Sequence, residues 1–233
     1  MSPLILAVDT THEFGGIALL RGEELLDEVL LHAPAGFGHI LYGQLAQLLQ
    51  RNGTSVAAVD CFASASGPGS FTGVRIGLAC VKGLAEALGR PVAAVSNLEA
   101  MAMAGNAAVR ATVLDARRGE VYGAVYDAAG NVVQPETVMK FPEWLETLPA
   151  GDLEFVATDF APFRAALAGT RFERIPVVHA PRTQAAAVGR IAARRLAAGC
   201  ATDPAAVDAN YVRRSDAELL WKDRDTGRQR QTR

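Results

Sequence analysis

Gly67-Pro68-Gly69-Ser70-Phe71-Thr72-Gly73-Val74-Arg75-Ile76-Gly77 follows closely on the apolar run Val59 to Ala65, and this junction decides the fold class. A short continuous apolar run reads as a buried strand, and glycines opening a long periodic segment read as a tight strand-to-helix turn. The helix runs to Leu88 and stops at Gly89-Arg90-Pro91, because glycine ends a helix and proline cannot continue one. Val92 to Val95 is the next strand. On the N-terminal side, Leu4 to Val8, Gly16 to Leu20 and Leu25 to Leu31 are separated by Phe14-Gly15-Gly16 and Arg21-Gly22-Glu23. Runs this closely spaced predict an antiparallel three-stranded meander. After Ala33-Pro34-Ala35-Gly36 the period changes, and Leu41, Leu45, Leu48 and Leu49 mark one face of a helix ending near Asn52-Gly53.

Three meander strands, then helix, strand, helix, strand, is the order of an RNase H-like lobe, the unit duplicated in actin-like ATPases. That match speaks to fold alone. A second lobe begins near Arg110: Ala111 to Leu114 and Val121 to Tyr126 read as strands around the turn Asp115 to Glu120, and Val132 to Met139 as a third. Pro142 opens a short helix through Leu148, Glu154 to Thr158 is a strand, and Thr183 to Ala198 is a helix with Val188, Ile191, Ala192 and Leu196 inward. The expected architecture is α/β, with two RNase H-like lobes of mixed sheet and flanking helices, the second smaller or degenerate. The expected boundaries are 1–106 for the first lobe, 107–221 for the second, and 222–233 for a disordered tail without a hydrophobic residue. No internal sequence repeat is evident.

At 233 residues, half of them hydrophobic, the chain can bury a substantial core. The formal net charge of -2 argues against a free-standing nucleic-acid binder, which would carry a basic excess. Leu4 to Val8 is far shorter than a bilayer span and has no basic residue before it, so no membrane association and a cytoplasmic location are expected. Cys61, Cys80 and Cys200 are scattered without a CxxC pair and read as buried reduced thiols.

Glycines before a helix start expose backbone N–H groups to an anion, with Ser70 or Thr72 as cap or phosphate ligand. The Gly-Lys-Ser/Thr ending of a Walker A loop is absent, and a tight turn explains the glycines equally well. Around the helix, Val74, Leu78, Val81, Ala85 and Leu88 form one apolar face, while Gly73, Ile76, Cys80, Gly83, Leu84 and Ala87 form another rich in small residues. A helix apolar over most of its circumference is covered on two sides. The second cover is either the Leu41 to Leu49 helix or the helix of a partner.

An actin-type ATPase needs an Asp-containing hairpin near its start and a glycine pair in its second lobe. Asp9-Thr10-Thr11 could supply the first, although Asp9 also reads as a strand-end turn residue; the only Gly-Gly is Gly15-Gly16. The four histidines include no i, i+4 pair and no HExxH, and Ser70 does not lie in a GxSxG elbow. No catalytic residue, metal site or cofactor is therefore called for.

Ile5-Leu6-Ala7-Val8-Asp9-Thr10-Thr11, the glycine loop through Gly77, Ser96-Asn97-Leu98-Glu99-Ala100 and Asp115-Ala116-Arg117-Arg118-Gly119-Glu120-Val121-Tyr122 together closely resemble the TsaB (YeaZ) family, with Tyr211-Val212-Arg213 similar to its end-of-domain signature. The resemblance implies a non-catalytic subunit that pairs with and activates a TsaD-type subunit, which transfers threonylcarbamoyl to the anticodon-adjacent adenosine of tRNA. A TsaE-type ATPase joins the pair, tRNA is met through the complex, and a homodimer is possible in isolation. The implied partner interface is Leu41, Leu45, Leu48, Gly73, Val74, Ile76, Gly77, Leu78, Cys80, Val81, Gly83 and Leu84. Asp9, Thr10, Gly69, Ser70 and Thr72 would be a vestigial phosphate loop, and Arg117 and Arg118 a possible RNA or partner contact. The chain departs from the commoner family pattern at Gly15-Gly16 and around Phe37-Gly38-His39-Ile40. The alternative reading is an independent actin-fold ATPase or phosphotransferase using Asp9, Ser70 and Thr72.

Overall fold

The computed structural model describes residues 2–213; the tail expected at 222–233 lies outside them, as do residues 214–221 of the expected second lobe. The first lobe opens with the meander β1 (Leu4–Asp9), β2 (Phe14–Arg21) and β3 (Glu24–His32), followed by α1 (Leu41–Arg51), β4 (Cys61–Ala65), α2 (Phe71–Leu88) and β5 (Val92–Val95). The sheet order is β3-β2-β1-β4-β5, antiparallel through the meander and parallel from β1 to β5.

After α3 (Asn97–Ala102), the pattern is built again from β6 (Val109–Arg117), β7 (Glu120–Asp127), β8 (Val132–Lys140), α4 (Phe141–Thr147), β9 (Leu153–Ala157), α5 (Ala161–Arg164) and β10 (Val177–His179), in the order β10-β9-β6-β7-β8. Read from the other edge, this is the same topology, so the fold repeats where the sequence does not. The second lobe is degenerate in its helices: α5 has 4 residues where the corresponding α2 has 18.

Alternation along β1 divides the first lobe's core in two. Leu4, Leu6 and Val8 face α1 and α2, whereas Ile5 and Ala7 face α6 (Ala185–Ala197). The α6 side is dominated by alanines, among them Ala18, Ala63, Ala65, Ala93, Ala185, Ala192 and Ala193, which let this helix lie close to the sheet. The expected inward residues Val188, Ile191 and Ala192 are buried, and Leu196 is partly buried against the same cluster.

This packing corrects the expected lobe boundaries. α6 follows the second sheet in sequence but covers the first, and the chain after it pairs Thr202 with Val92 at the β5 edge. In exchange, Leu98, Met101 and Ala102 of α3, encoded within 1–106, are buried in the second lobe's aromatic core with Trp144, Phe155 and Phe160. Each sheet takes a covering helix from the other half of the sequence, because an apolar face buries itself against whichever sheet is open to it. Cys61 and Cys80 are buried as expected, but Cys200 is exposed beyond the end of α6. No helix among the described residues is long and apolar enough to cross a membrane.

Candidate functional site

The end of β1, the glycine loop and the start of α6 meet at Asp9, which is 2% exposed. Its Oδ1 accepts hydrogen bonds from the Thr11 N–H at 3.0 Å and the Thr11 hydroxyl at 2.6 Å, and its Oδ2 accepts from the Gln184 N–H at 2.8 Å. At the α6 start the Thr183 hydroxyl accepts from the Ala185 N–H at 3.2 Å, and Glu28 Oε1 from the Ala186 N–H at 3.1 Å. The local Thr183 hydroxyl and the carboxylates of distant Asp9 and Glu28 thus satisfy donors that a helix start leaves unpaired, acidic groups being the type its dipole favours. Glu28 is exposed, but partial desolvation against the α6 start raises its carboxyl above its ordinary value, against the lowering effect of the Ala186 bond and Arg190.

The Thr11 hydroxyl also accepts from Asn97 Nδ2 at 2.6 Å, while Asn97 Oδ1 accepts from the Gly67 N–H at 3.0 Å. The Thr10 hydroxyl donates to the Gly73 carbonyl at 2.7 Å, the Ser70 N–H donates to the Thr11 carbonyl at 2.7 Å, and Ser70 Oγ caps α2 by accepting from the Gly73 N–H at 3.2 Å. These groups of the expected phosphate loop hold β1 against α2. The glycines are required by contact: a Cβ would lie 2.6 Å from the Thr11 carbonyl oxygen at Gly69, 2.0 Å from that of Thr10 at Gly73, and 2.6 Å from the Thr10 hydroxyl at Gly77.

Above this network lies a cleft of about 740 Å³ between the lobes. Thr10, Thr11, His12, Ser70 and Thr72 line one wall, and Asp115, Arg117, Tyr122 and Arg213 the other; Asp9 is not among the lining residues. Thr72 is exposed. Arg117 and Arg118 occupy the left-handed region at φ 67° and 56°, a conformation that side chains with a Cβ rarely adopt. The Arg117 N–H donates to Asp115 Oδ1 at 2.7 Å, and its guanidinium lies 3.7 Å from the same carboxylate with the side chain 87% exposed. Lys140 Nζ donates to the Arg118 carbonyl at 2.6 Å. No cluster of three or more metal-ligating side chains occurs among the described residues.

A family model described as TsaD, tRNA N6-adenosine threonylcarbamoyltransferase, matches residues 37–218. The tRNA threonylcarbamoyladenosine biosynthesis protein TsaB of Bacillus subtilis is 33% identical over 153 residues, covering 64% of this chain and 67% of that protein. Its Escherichia coli namesake is 35% identical over 144 residues, covering 58% of this chain and 62% of that protein. The matched stretch thus spans about two thirds of these curated relatives. Among solved structures, YeaZ from Pseudomonas aeruginosa superposes with a TM-score of 0.78 at 29% identity, covering 91% of this chain and 100% of that one. The chain belongs to the TsaB/YeaZ family.

For a TsaB/YeaZ chain, the expected partner helices are α1 and α2, and the fold sorts their residues. Leu41, Leu45, Leu48, Val74, Leu78, Cys80 and Val81 are each 6% exposed or less, within the core that α1 and α2 share over the sheet. Gly73 and Gly77 are buried against the end of β1. These nine are therefore core residues, in a cluster that α1, α2 and Val207 share over the sheet, with the turn 204–206 also packed against α2. Of the twelve residues expected at the interface, Gly83 is exposed, and Ile76 and Leu84 are partly exposed. Outside the residues expected at the interface, the exposed ridge also carries Tyr42, Gly43 and Ala46 on α1, and Phe71, Arg75 and Ala79 on α2, beside Ala87 of the small-residue face. Tyr42 is 58% exposed, and its phenol is raised above its ordinary value chiefly by the neighbouring Cys80 on the facing helix. Phe71 is 44% exposed, with the Arg75 guanidinium 3.6 Å above its ring centre. An Arg two residues after Gly73 and a Tyr beside the apolar face of its own helix were the available signals.

Proposed function

We propose that the chain acts in synthesis of threonylcarbamoyladenosine on tRNA as a non-catalytic subunit that pairs with and activates a TsaD-type catalytic subunit in the cytoplasm. The observation that carries this reading is the commitment of Asp9: its three accepted hydrogen bonds fasten β1 to α6, and the carboxylate does not face the cleft. The outward ridge of α1 and α2 supports the pairing half. Tyr42, Phe71 and Arg75 are residue types that anchor protein interfaces, and Ala79 and Gly83 between them admit a close helix. The same ridge serves a second copy when the partner is absent. A TsaE-type ATPase joins the pair, and RNA is met through the complex, where Arg117 and Arg118 present exposed charge.

Reconstitution tests the reading: tRNA modification by TsaD-type and TsaE-type subunits is assayed with and without this chain. Strong dependence on the chain is expected, and full activity in its absence overturns the assignment. Gly83→Arg, whose new side chain enters open space, is expected to weaken pairing at least tenfold in titration while leaving the fold intact. An independent ATPase is the second reading, favoured by the cleft with Ser70, Thr72 and Arg117 in its walls. It requires the isolated chain to bind Mg-ATP in calorimetry and to turn it over.

A further inference from the structure

Residues 207–213 run from the first lobe to the second, and Arg213 at their end lines the cleft. Val207 is buried in the first lobe's core, and its carbonyl accepts from Lys82 Nζ at 2.6 Å. The Asn210 N–H donates to the Ser66 carbonyl at 2.8 Å, while its Nδ2 donates to Glu136 Oε2 on β8 at 2.7 Å. The hydroxyl of Ser96, just before α3, donates to the other oxygen of Glu136. The Tyr211 hydroxyl accepts from Arg75 Nε on α2 at 2.9 Å. Two residues further, Arg213 donates to the Ala116 carbonyl at 2.9 Å and pairs with Glu120, on the two strands of the β6–β7 hairpin.

A second fastening lies at α3 and α6, the two exchanged helices. Arg195 of α6 grips both oxygens of Glu99 on α3, at 2.9 and 2.6 Å. Lobes joined at one place can hinge about it; a second fastening removes that freedom. Most strap bonds have one charged partner: Lys82 and Arg213 donate to main-chain carbonyls, and the Glu136 and Glu120 carboxylates accept from Asn210 and Arg213, the stronger class of hydrogen bond.

We propose that residues 207–213 are a strap which, together with the Arg195–Glu99 pin, fixes the angle between the lobes, so that the chain itself sets the width of the cleft without an occupant. The contacts that set it are at Asn210 and Arg213, each bonded to the second lobe from a segment rooted in the first. A nucleotide-driven two-lobed ATPase depends on the opposite property, a cleft that closes when filled. The strap goes beyond the subunit reading, since it concerns the isolated chain.

The test uses the full chain with Ala35→Cys and Glu146→Cys, both exposed and one on each lobe, in a Cys200→Ser background, with spin labels at the two introduced thiols. One narrow distance distribution is expected in this parent, unchanged by Mg-ATP. Adding Asn210→Ala and Arg213→Ala is expected to broaden it toward longer distances and to speed hydrogen exchange in the hairpin 115–120 by about tenfold, with β1 and β4 still protected. A broad distribution in the parent, or an unchanged narrow one in the folded double variant, overturns the proposal. If the double variant loses protection in β1 and β4, Arg213→Ala alone decides, because its guanidinium lies outside both cores. No partner subunit is present, so failure here leaves the pairing reading untouched.

Discussion

The Asp9 carboxylate accepts the Gln184 N–H at 2.8 Å across 175 residues of sequence, joining the first strand to the helix that returns after the second lobe. The bond explains how an acidic residue persists at a strand end without facing the cleft. Asp9→Asn substitutes an NH₂ donor for one acceptor oxygen among three existing donors. A loss of about 1–3 kcal/mol is expected, from a buried donor left unpaired. The urea midpoint should fall with little change in slope; an unaltered midpoint would show that the bonds are dispensable.

Two glycines on α2 should respond in opposite ways. Gly73→Ala forces a methyl to within 2.0 Å of the Thr10 carbonyl oxygen and is expected to unfold the chain or separate β1 from α2. Gly83→Ala meets nothing within 4 Å and is expected to stabilise the helix by up to about 1 kcal/mol. Val81→Asp, at 0% exposure, places a charge inside the core and should abolish folding rather than probe pairing. Thermal melts of the three variants discriminate these outcomes.

Burial pushes the Cys61 thiol up to about 12 and the Cys80 thiol to about 11. Both stay protonated and inaccessible at pH 8, while Cys200 is exposed. A thiol reagent at that pH should titrate one group in the native chain and three in denaturant. Rapid reaction of a second thiol in the native chain would contradict the burial.

Glu28 makes stability depend on pH in an unusual direction. Glu28 is exposed, yet partial desolvation at the α6 start raises its folded carboxyl, so above that raised value the fold bears a small charge cost, relieved as pH falls through it. Glu28→Gln keeps an acceptor for Ala186 and removes the charge. It is expected to raise the urea midpoint at pH 7, with the gain shrinking as the solution is acidified below the folded value. A lower midpoint at pH 7 would show that attraction to Arg190 and the helix start outweighs the burial.

Most of the secondary structure was legible because each element carries its own period: β5 lies at the predicted Val92 to Val95, and α1 stops at Asn52-Gly53, where Gly53 takes φ 61°. The three-residue β10 and four-residue α5 are too short to carry a period, and no sequence reading found them. The chosen interface shows the limit of periodicity. Leu45 and Val81 sit on apolar helix faces as predicted, but those faces are buried in one core over the sheet, while outward Tyr42 and Arg75 have no apolar rhythm to announce them and Gly83 was legible only through the small-residue face.

By itself the sequence determined the class of every long element, the meander-first order of both lobes and, through four quoted motifs, the family, because these depend on neighbours a few residues apart. Tertiary structure alone decided which helix covers which sheet, which apolar face is core, and what the buried carboxylate holds. Those outcomes depend on surfaces and donors brought together from as far apart as Asp9 and Gln184, and no local pattern encodes a partner at that distance.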